Sequence, residues 1–221
     1  MKERLSPEEI ERRRREKLPS ESPLKAERRV AELKKENQEL HKQATTDPLT
    51  GLLNRRAYEP LRNAMFERLK KEGAEGKVIA VLAFDLDHFK SVNDTFGHAT
   101  GDKVLEAFAS ILKKRVRRTD IAARLGGEEF AVVVETRKGG GHERAEEIRK
   151  DVESSIQLPD GRNVTVSVGV SETTDGRVWD RERLNARADE ALYGAKEGGR
   201  NQTKVAGKLD DGPNTSGRIA A

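Results

Sequence analysis

Two short acidic segments of the sequence carry the residues best suited to chemistry. Asp85 and Asp87 end an apolar run at 78–84, and Glu128 and Glu129 follow a pair of glycines. Carboxylates are hard oxygen ligands that suit Mg²⁺, which takes one or two of them and completes its shell with water and phosphate oxygens. Two such ions serve nucleotidyl transfer by stabilising the attacking and leaving oxygens. These acids therefore predict metal-assisted chemistry on phosphates, with a strand end that carries solvated acids as the alternative.

A glycine pair, Gly126 and Gly127, stands immediately before the second acidic segment. Glycine adopts positive φ and lets a backbone approach a ligand closely, so the pair predicts a tight turn between two strands. Neighbouring residues of an extended backbone point to opposite sides, so Glu128 and Glu129 should have separate roles. A hairpin beside Asp85 would let Asp85 and Glu128 share metal ions; a glycine turn with two solvated acids is the alternative.

Two cations near the end of the last predicted helix are further candidates. Lys196 and Arg200 have the i,i+4 spacing at which two helical side chains reach one phosphate group. The alternative is a pair of cations favourably placed at a helix C-terminus. The segment 97–103 holds glycines near a lysine but lacks the GxxxxGK[ST] spacing of a P-loop NTPase. The histidines form no HExxH zinc motif, and no GxSxG motif indicates a serine hydrolase.

The elements that must position these residues follow from apolar periodicity. The run at 78–84 is continuous and rich in β-branched residues, which predicts a central strand covered on both faces. Further strands are predicted at 121–123, 130–135 and 164–170, and helices at 54–71, around 104–112, at 145–156 and from an Asp180 cap to a stop at Gly198 and Gly199. Strands alternating with helices around an internal hairpin predict an α+β fold, with a mixed, mostly antiparallel sheet flanked by helices.

The chain divides into four parts by composition. Residues 1–23 are polar and broken by prolines, which predicts a flexible segment, and the small polar tail at 206–221 is expected to be disordered. Residues 24–45 form a predicted helical stalk, and 46–205 form the globular domain. The stalk has the alternating three- and four-residue spacing of a short coiled coil, with an asparagine that fixes register in two-stranded coils: Val30, Leu33, Asn37, Leu40 and Ala44. One amphipathic helix packed on its own domain is the alternative.

Composition bounds the location and the partners of this 221-residue chain. Its 43 basic and 39 acidic residues give a net charge of +4 and a pI near 9.2, which describes a mixed surface. The basic block at 12–15 is flanked by glutamates and lacks interleaved aromatic residues, so we expect a solvated helix face and no nucleic-acid partner. Cysteine is absent, and no apolar run approaches the roughly 18 to 20 residues of a membrane span. A cytoplasmic protein without a membrane span is expected.

Six separated motifs run in order over about 47–201, most of the globular part. They are DPLTGLLNRR at 47–56, FDLDHFKSVND at 84–94, FGHATGD at 96–102, RLGGEEF at 124–130, VTVSVGV at 164–170 and ADEALYGAKEGGRN at 188–201. Together they resemble the GGDEF family of diguanylate cyclases, and the ordered set is far more specific than any one motif. The resemblance implies an enzyme that condenses two GTP molecules into cyclic di-GMP and two pyrophosphates with Mg²⁺, or with Mn²⁺ in its place.

By this similarity Asp85, the Leu86 carbonyl and Glu128 look like the metal ligands, and Glu129 would assist deprotonation of the 3′-hydroxyl. The resemblance also implies a guanine-binding pair, whose hydrogen bonds would favour GTP over ATP. That pair is Asn93 and Asp102. The other substrate-binding positions implied by the resemblance are Phe89, Lys90, His98, Gly126, Gly127, Lys196 and Arg200.

The resemblance further implies how such an enzyme is controlled. Arg117 and Asp120 form an RxxD segment upstream of Gly126 and match the family's inhibitory site for cyclic di-GMP; an i,i+3 ion pair at a helix end is the alternative. One domain binds one GTP, so ring closure requires two domains facing each other, and a homodimer through the N-terminal helix is expected. The roughly 45 residues before the domain are too few for a sensor domain, so we expect a regulatory protein that binds the stalk.

The sequence departs from the family pattern at three positions without losing a proposed ligand. Glu128 replaces the aspartate of the family name and keeps the carboxylate, while His88 and Leu125 stand where aromatic residues are frequent. The main alternative is a catalytically silent module that senses GTP or cyclic di-GMP. Such a module would be expected to have lost the loop carboxylates, so the presence of Asp85 and Glu129 favours the enzyme.

Overall fold

The computed structural model describes residues 6, 8–9, 23–72, 76–173 and 181–207. The chain divides into two compact units, Met1–Gln43 and Ala44–Ala221. The boundary lies close to the predicted domain start at 46. The predicted cap Asp180 lies outside the described residues, as do most of the segments at 1–23 and 206–221.

The secondary structure of the described residues alternates between helices and strands. The helices are α1 Pro23–Thr45, α2 Arg55–Glu72, α3 Phe89–Phe96, α4 His98–Arg115, α5 Gly140–Ser155 and α6 Arg181–Glu197. The strands are β1 Leu53–Asn54, β2 Lys77–Leu86, β3 Ile121–Gly126, β4 Glu129–Arg137, β5 Val166–Glu172 and β6 Thr203–Val205. Helix α6 ends immediately before the glycines that were expected to stop it.

The strands form one sheet in the order β1-β3-β4-β2-β5-β6. The three inner pairings, β3 with β4, β4 with β2 and β2 with β5, are antiparallel. The two edge strands, β1 and β6, pair in parallel with their neighbours. The predicted α+β fold with a mixed, mostly antiparallel sheet is therefore confirmed.

Strand β2 occupies the middle of the sheet because both of its faces are apolar. Every residue after Lys77 in this strand is buried. Successive side chains of a strand point to opposite faces, and Leu82 and Phe84 accordingly join the apolar cluster beneath α4 and α5. Val81 and Ala83 join the cluster beneath α2 and α6. The sheet is thus covered by helices on both sides, and β2 is held with its C-terminal end at one edge of the domain.

Three phenylalanines fix the base of the predicted hairpin. Phe108 of α4 packs edge-on against Phe84 of β2 and Phe130 of β4, with ring centroids 5.7 and 4.7 Å away. Edge-to-face aromatic pairs contribute about 0.5–1.5 kcal/mol beyond the area they bury. Phe130 is the last residue of the GGEEF motif, so this cluster anchors the motif in the core while its glycines and glutamates extend beyond it.

Three short elements were not predicted: α3, β1 and β6. Each has too few residues to establish an apolar period, and pairing with neighbouring strands creates β1 and β6. Gly97, with a φ of 80°, separates α3 from α4.

The stalk region forms the continuous helix α1, whose apolar seam is exposed. Val30, Leu33 and Leu40 are 49%, 47% and 58% exposed. Among the described helices, none combines the length and the apolar character needed to cross a membrane.

Candidate active site

The hairpin and the acidic strand end lie side by side because of the register between β2 and β4. Phe84 pairs with Phe130, and Asp85 pairs with Glu129. The Leu86 amide donates to the Glu128 carbonyl at 3.4 Å, which continues the ladder past the last paired residues. The two acidic segments, 43 positions apart in sequence between Asp85 and Glu128, are thereby brought together.

The turn at the tip of the hairpin depends on its two glycines. Gly126 and Gly127 have φ values of 155° and 49°, which favour glycine. The β3–β4 register shifts between Arg124 and Gly126, and such a bulge bends a strand and redirects its side chains. The Arg124 side chain then closes the turn, because its Nε donates to the Gly127 carbonyl at 2.9 Å.

Asp85 is a buried acid near the end of β2. Its carboxylate Oδ2 lies 2.7 Å from Lys196 Nζ, and its side chain is 11% exposed. Burial raises the pKa of Asp85, the hydrogen bond and charge of Lys196 oppose that rise, and the charges of Glu128 and Glu129 add to it. The net shift is upward, so ionised Asp85 depends on a cation beside it.

The donor set fits Mg²⁺ or Mn²⁺. Asp85 and Glu128 supply carboxylates close enough for their charges to interact, and the Leu86 carbonyl belongs to the same strand end. Within the described residues, no three acidic or histidine side chains form a ready-made metal cluster. This arrangement suits an ion that uses one or two protein carboxylates and takes its other ligands from water and phosphate; it does not suit a metal enclosed wholly by protein.

Glu129 pairs with Asp85 in the sheet and is close to a cation of α2. Its carboxylate lies 3.7 Å from the guanidinium of Arg55, at the start of α2, and both side chains are more than half exposed. Arg55 Nε also donates to the Leu125 carbonyl at 3.0 Å. Glu129 is the first residue of β4, whereas Glu128 belongs to the turn before it, so strand alternation does not apply to the pair.

Asp87 has different partners from Asp85, although both residues end the same apolar run. Strand β2 ends at Leu86, but the Asp87 amide donates to the Thr165 carbonyl at 2.9 Å and so continues the pairing with the β5 segment by one residue. The Asp87 carboxylate accepts hydrogen bonds from Ser167 Oγ at 2.7 Å, Thr165 Oγ1 at 2.8 Å and the Asn201 amide at 3.0 Å. It therefore binds neighbouring backbone and hydroxyl groups and ties β5 and the chain after α6 to the end of β2.

The expected guanine-binding residues lie on the adjoining helices α3 and α4. Asn93 packs so closely on Gly101 that a Cβ at Gly101 would overlap the Asn93 Oδ1 and approach the Phe89 ring. Asp102 follows Gly101 and is exposed. Lys90 and His98, on the same two helices, are also exposed, while Phe89 is buried.

Lys196 and Arg200 do not form the helical i,i+4 pair that the spacing indicated. Helix α6 ends at Glu197, and Arg200 lies beyond it with a φ of 64°. The two glycines end the helix, and the Arg200 amide turns back to donate to the Ala195 carbonyl at 3.1 Å. Lys196 projects from the helix to Asp85, and Arg200 projects from the following turn.

The upstream RxxD segment forms a turn after α4. The Asp120 carboxylate accepts a hydrogen bond from the Arg117 backbone amide at 2.8 Å, and the Arg117 side chain is exposed. Burial raises the pKa of Asp120, while the positive charges of Arg144 and Arg117 oppose the rise. The local contact is therefore a side chain to backbone bond, not the ion pair considered as an alternative.

Sequence reasoning missed three residues that position the site: Arg55, Arg124 and Asn201. Each lies inside a recognised motif, yet its contacts are made with distant segments. Arg124 Nη1 lies 3.2 Å from Asp47 Oδ1 across 77 positions, for example. An arginine two positions before a glycine turn is the only local signal, and it does not indicate a partner.

The fold and the site define a class of protein. It is an α+β domain in which the acidic end of β2 lies beside the acidic glycine hairpin, and Lys196 from the end of α6 contacts Asp85. The sequence model of the family described as diguanylate cyclase, GGDEF domain, matches residues 44–202. The chain belongs to this family, which confirms the resemblance of its motifs.

Relatives and solved structures agree with this assignment. Diguanylate cyclase A of Treponema denticola is 39% identical over 175 residues, which cover 76% of this chain and 46% of that protein. The structure of the coiled coil and GGDEF domain of DgcB from Caulobacter crescentus, in complex with c-di-GMP, is similar with a TM-score of 0.70 and 34% identity, covering 83% of this chain and 96% of that one. Diguanylate cyclase SiaD from Pseudomonas aeruginosa, in complex with its activator SiaC, has a TM-score of 0.66 and 34% identity, covering 89% and 74%. The chain spans less than half the length of the T. denticola relative.

Proposed function

We propose that this chain is a diguanylate cyclase that condenses two GTP molecules into cyclic di-GMP and two pyrophosphates. The observation that carries the proposal is the Asp85–Glu129 register, which places the strand-end carboxylate beside the GGEEF hairpin. Lys196, 2.7 Å from Asp85, adds a cation where phosphates would enter. Carboxylates that hold metal ions and cations that hold phosphates are the equipment of nucleotidyl transfer.

The metal would be held by Asp85, the Leu86 carbonyl and Glu128. Bound there, Mg²⁺ or Mn²⁺ would neutralise charge on the transferred phosphate. Glu129, the first residue of β4, is the proposed base that takes the proton of the 3′-hydroxyl. Its exposure suits this role, since the hydroxyl group belongs to a GTP held by a second domain.

Recognition of GTP is divided between two parts of the site. Asn93 and Asp102 would bind the guanine edge. If ATP entered the site, these two side chains would lack hydrogen-bond partners on adenine, so the site would discriminate strongly against ATP. The triphosphate would be held by Phe89, Lys90, Lys196 and Arg200. The remaining proposed substrate-binding positions are His98 at the start of α4 and Gly126 and Gly127 in the hairpin turn.

Ring closure requires two copies of the domain, and helix α1 is the proposed dimer contact. Its exposed Val30, Leu33 and Leu40 lie in a coiled-coil seam, and Asn37 would fix the register between two copies. The structure of DgcB to which this chain is similar contains a coiled coil beside its GGDEF domain. A partner protein that binds this helix would control how often two sites meet, as the SiaD complex with its activator suggests by analogy.

Feedback by the product is proposed at Arg117 and Asp120. The exposed Arg117 guanidinium and the adjacent Asp120 carboxylate offer a donor and an acceptor for a guanine base. Binding of labelled cyclic di-GMP to the wild type and to an Arg117→Ala variant tests this: product that binds both equally would place the inhibitory site elsewhere.

The decisive experiment is incubation of the full chain with GTP and Mg²⁺, followed by chromatography of the product. Glu128→Ala and Glu129→Ala are expected to lower the rate by roughly a hundredfold or more, because each removes a group that acts on the reacting atoms. Glu143→Ala, in an exposed pair with Arg137, is the matched control and should retain the rate. Undiminished synthesis by both hairpin variants would refute the site, and tight GTP binding without synthesis by the wild type would favour a receptor.

A further inference from the structure

The chain reverses direction immediately after α6 through two residues in the left-handed region. Arg200 and Asn201 have φ values of 64° and 44°. Arginine adopts this conformation with a free-energy cost, whereas asparagine tolerates it better. Left-handed residues other than glycine persist where surrounding contacts hold them, so these contacts show what fixes Arg200.

Asn201 provides these contacts through three hydrogen bonds, which involve its backbone amide and both polar atoms of its side chain. Its amide nitrogen donates to Asp87 Oδ2 at 3.0 Å. Its side-chain Oδ1 accepts from Arg149 Nη1 at 2.7 Å, and its Nδ2 donates to Glu153 Oε1 at 2.8 Å. The turn is therefore tied at once to the end of β2 and to two successive turns of α5.

The partners of Asn201 are themselves fixed. Asp87 is 6% exposed and is held by two hydroxyl groups of the β5 region. Arg149 is held by Glu146 at 3.1 Å and Glu153 at 2.9 Å. Burial alone would lower the pKa of Arg149, but hydrogen bonds and charges from Glu146 and Glu153 outweigh it and raise that pKa. Arg149 is thus a charge-balanced structural cation and is not available to bind phosphate.

These contacts set the position of the phosphate-binding end of α6 relative to the metal-binding strand. Asn201 is bonded to Asp87, two residues after Asp85, and it directly follows Arg200. The Lys196–Asp85 pair makes a second link between the same two segments. The described contact of Arg200 itself is its amide bond to the Ala195 carbonyl at 3.1 Å, which ties it to α6, whereas the bonds of Asn201 tie the turn to the end of β2 and to α5.

We propose that Asn201 is a positioning residue for triphosphate binding, which holds Arg200 toward the strand end through its bonds to Asp87, Arg149 and Glu153. The inference rests on the proposed function and adds to it a residue that does not touch the substrate itself. We expect it to act on the phosphates, because its side-chain bonds go to Arg149 and Glu153 and none of its described bonds goes to the guanine-binding Asn93 or Asp102.

The test compares nucleotides that differ only in their phosphates. Asn201→Gly tolerates the left-handed turn and keeps the amide bond to Asp87 but removes both side-chain bonds. We expect its affinity for a non-hydrolysable GTP analogue with Mg²⁺, measured by calorimetry, to fall roughly tenfold, since small displacements of positioning groups have effects of this size or larger. GMP should bind as it does to the wild type. In steady-state kinetics we expect KM for GTP to rise with little change in kcat. The substitution weakens substrate binding, whereas the groups that act in the chemical step stay in place.

Asn163→Gly, at an exposed asparagine of the same domain, is the matched control and should change neither affinity. Arg149→Met removes the partner of Asn201 Oδ1 and leaves Asn201 itself intact, so it tests the inference if Asn201→Gly does not fold. This variant should also lose affinity for the GTP analogue and keep its affinity for GMP. A folded variant with an unchanged ratio of GTP-analogue to GMP affinity overturns the inference. Failure of the wild type to bind the analogue would instead overturn the proposed function.

Discussion

Arg124 of β3 is bonded to Asp47, the first residue of the DPLTG segment, with Nη1 3.2 Å from Oδ1 and 3.3 Å from Oδ2. Both side chains are largely buried, at 15% and 18% exposure. The same guanidinium donates to the Gly127 carbonyl, and Asp47 Oδ1 also accepts from the Thr50 amide at 2.8 Å. The tip of the GGEEF hairpin is therefore fastened to the segment with which the globular unit begins, only two residues after α1 ends.

This link predicts a loss of both stability and activity in Arg124→Gln. Hydrogen bonds to charged, partly buried groups contribute about 1.5–3 kcal/mol, so urea unfolding should show a loss of that size. Cyclic di-GMP synthesis should fall at least about tenfold, because the turn loses its closing bond. Arg137→Gln removes the exposed pair with Glu143 and should cost at most about 1 kcal/mol. Equal losses in the two variants would contradict a special role for Arg124.

The same pair predicts an acid-dependent term in stability. Burial tends to raise the pKa of Asp47, but hydrogen bonds from Thr50 and the charge of Arg124 outweigh it, so the pKa lies below its ordinary value of 3.8. A carboxylate whose pKa is lowered by folding stabilises the native state above the unfolded pKa and loses that contribution as pH falls through the folded pKa. Asp47→Asn should therefore be less stable than wild type at neutral pH, and the difference should shrink below pH 3.8. Chemical denaturation of both proteins across this range measures it; a constant difference would argue against the ionised pair.

Gly101→Ala should impair GTP recognition through Asn93. The added Cβ would overlap the Asn93 Oδ1, so the amide must leave the position expected for guanine binding. We expect GTP affinity to fall roughly tenfold or more, in keeping with the loss of a buried hydrogen-bonding group, and preference over ATP to fall with it. Gly194→Ala on α6 meets its nearest atom, Lys204 Cδ, only at 3.4 Å and serves as the helical glycine control. Calorimetry with both nucleotides checks the prediction, which fails if the two variants bind alike.

Lys196→Met should have opposite effects on metal and nucleotide binding. Lys196 holds Asp85 at 2.7 Å, so a divalent ion must compete with an internal cation for that carboxylate. The variant should bind Mn²⁺ roughly five- to tenfold more tightly without nucleotide, since a nearby unit charge is worth on the order of 1 kcal/mol or more. Its GTP affinity should be lower, because a phosphate partner is lost. Electron paramagnetic resonance of free Mn²⁺ measures the first effect, with exposed Lys150→Met as control; weaker Mn²⁺ binding would exclude the competition.

The amino-acid sequence by itself determined the class of the fold and indicated the kind of chemistry that we propose. The apolar run at 78–84 predicted a strand buried on both faces, and β2 is that strand. The glycine pair with its glutamates predicted a hairpin, which β3 and β4 form. These predictions succeed because they depend on local periods and on the conformational range of glycine, which neighbouring residues express without help from the rest of the chain.

Only the tertiary structure decided which polar groups face each other. Asp85 and Asp87 are alike in sequence, yet one meets Lys196 and the other meets Asn201, 114 positions away. The i,i+4 spacing predicted that Arg200 is a helical neighbour of Lys196. In the structure α6 ends at Glu197, and Arg200 lies in a left-handed turn after the two glycines. Hydrogen bonds between distant segments leave no periodic trace along a chain, because their geometry is set by strand register and helix packing. The residues of the candidate site were therefore readable in the sequence, whereas the contacts that position them were not.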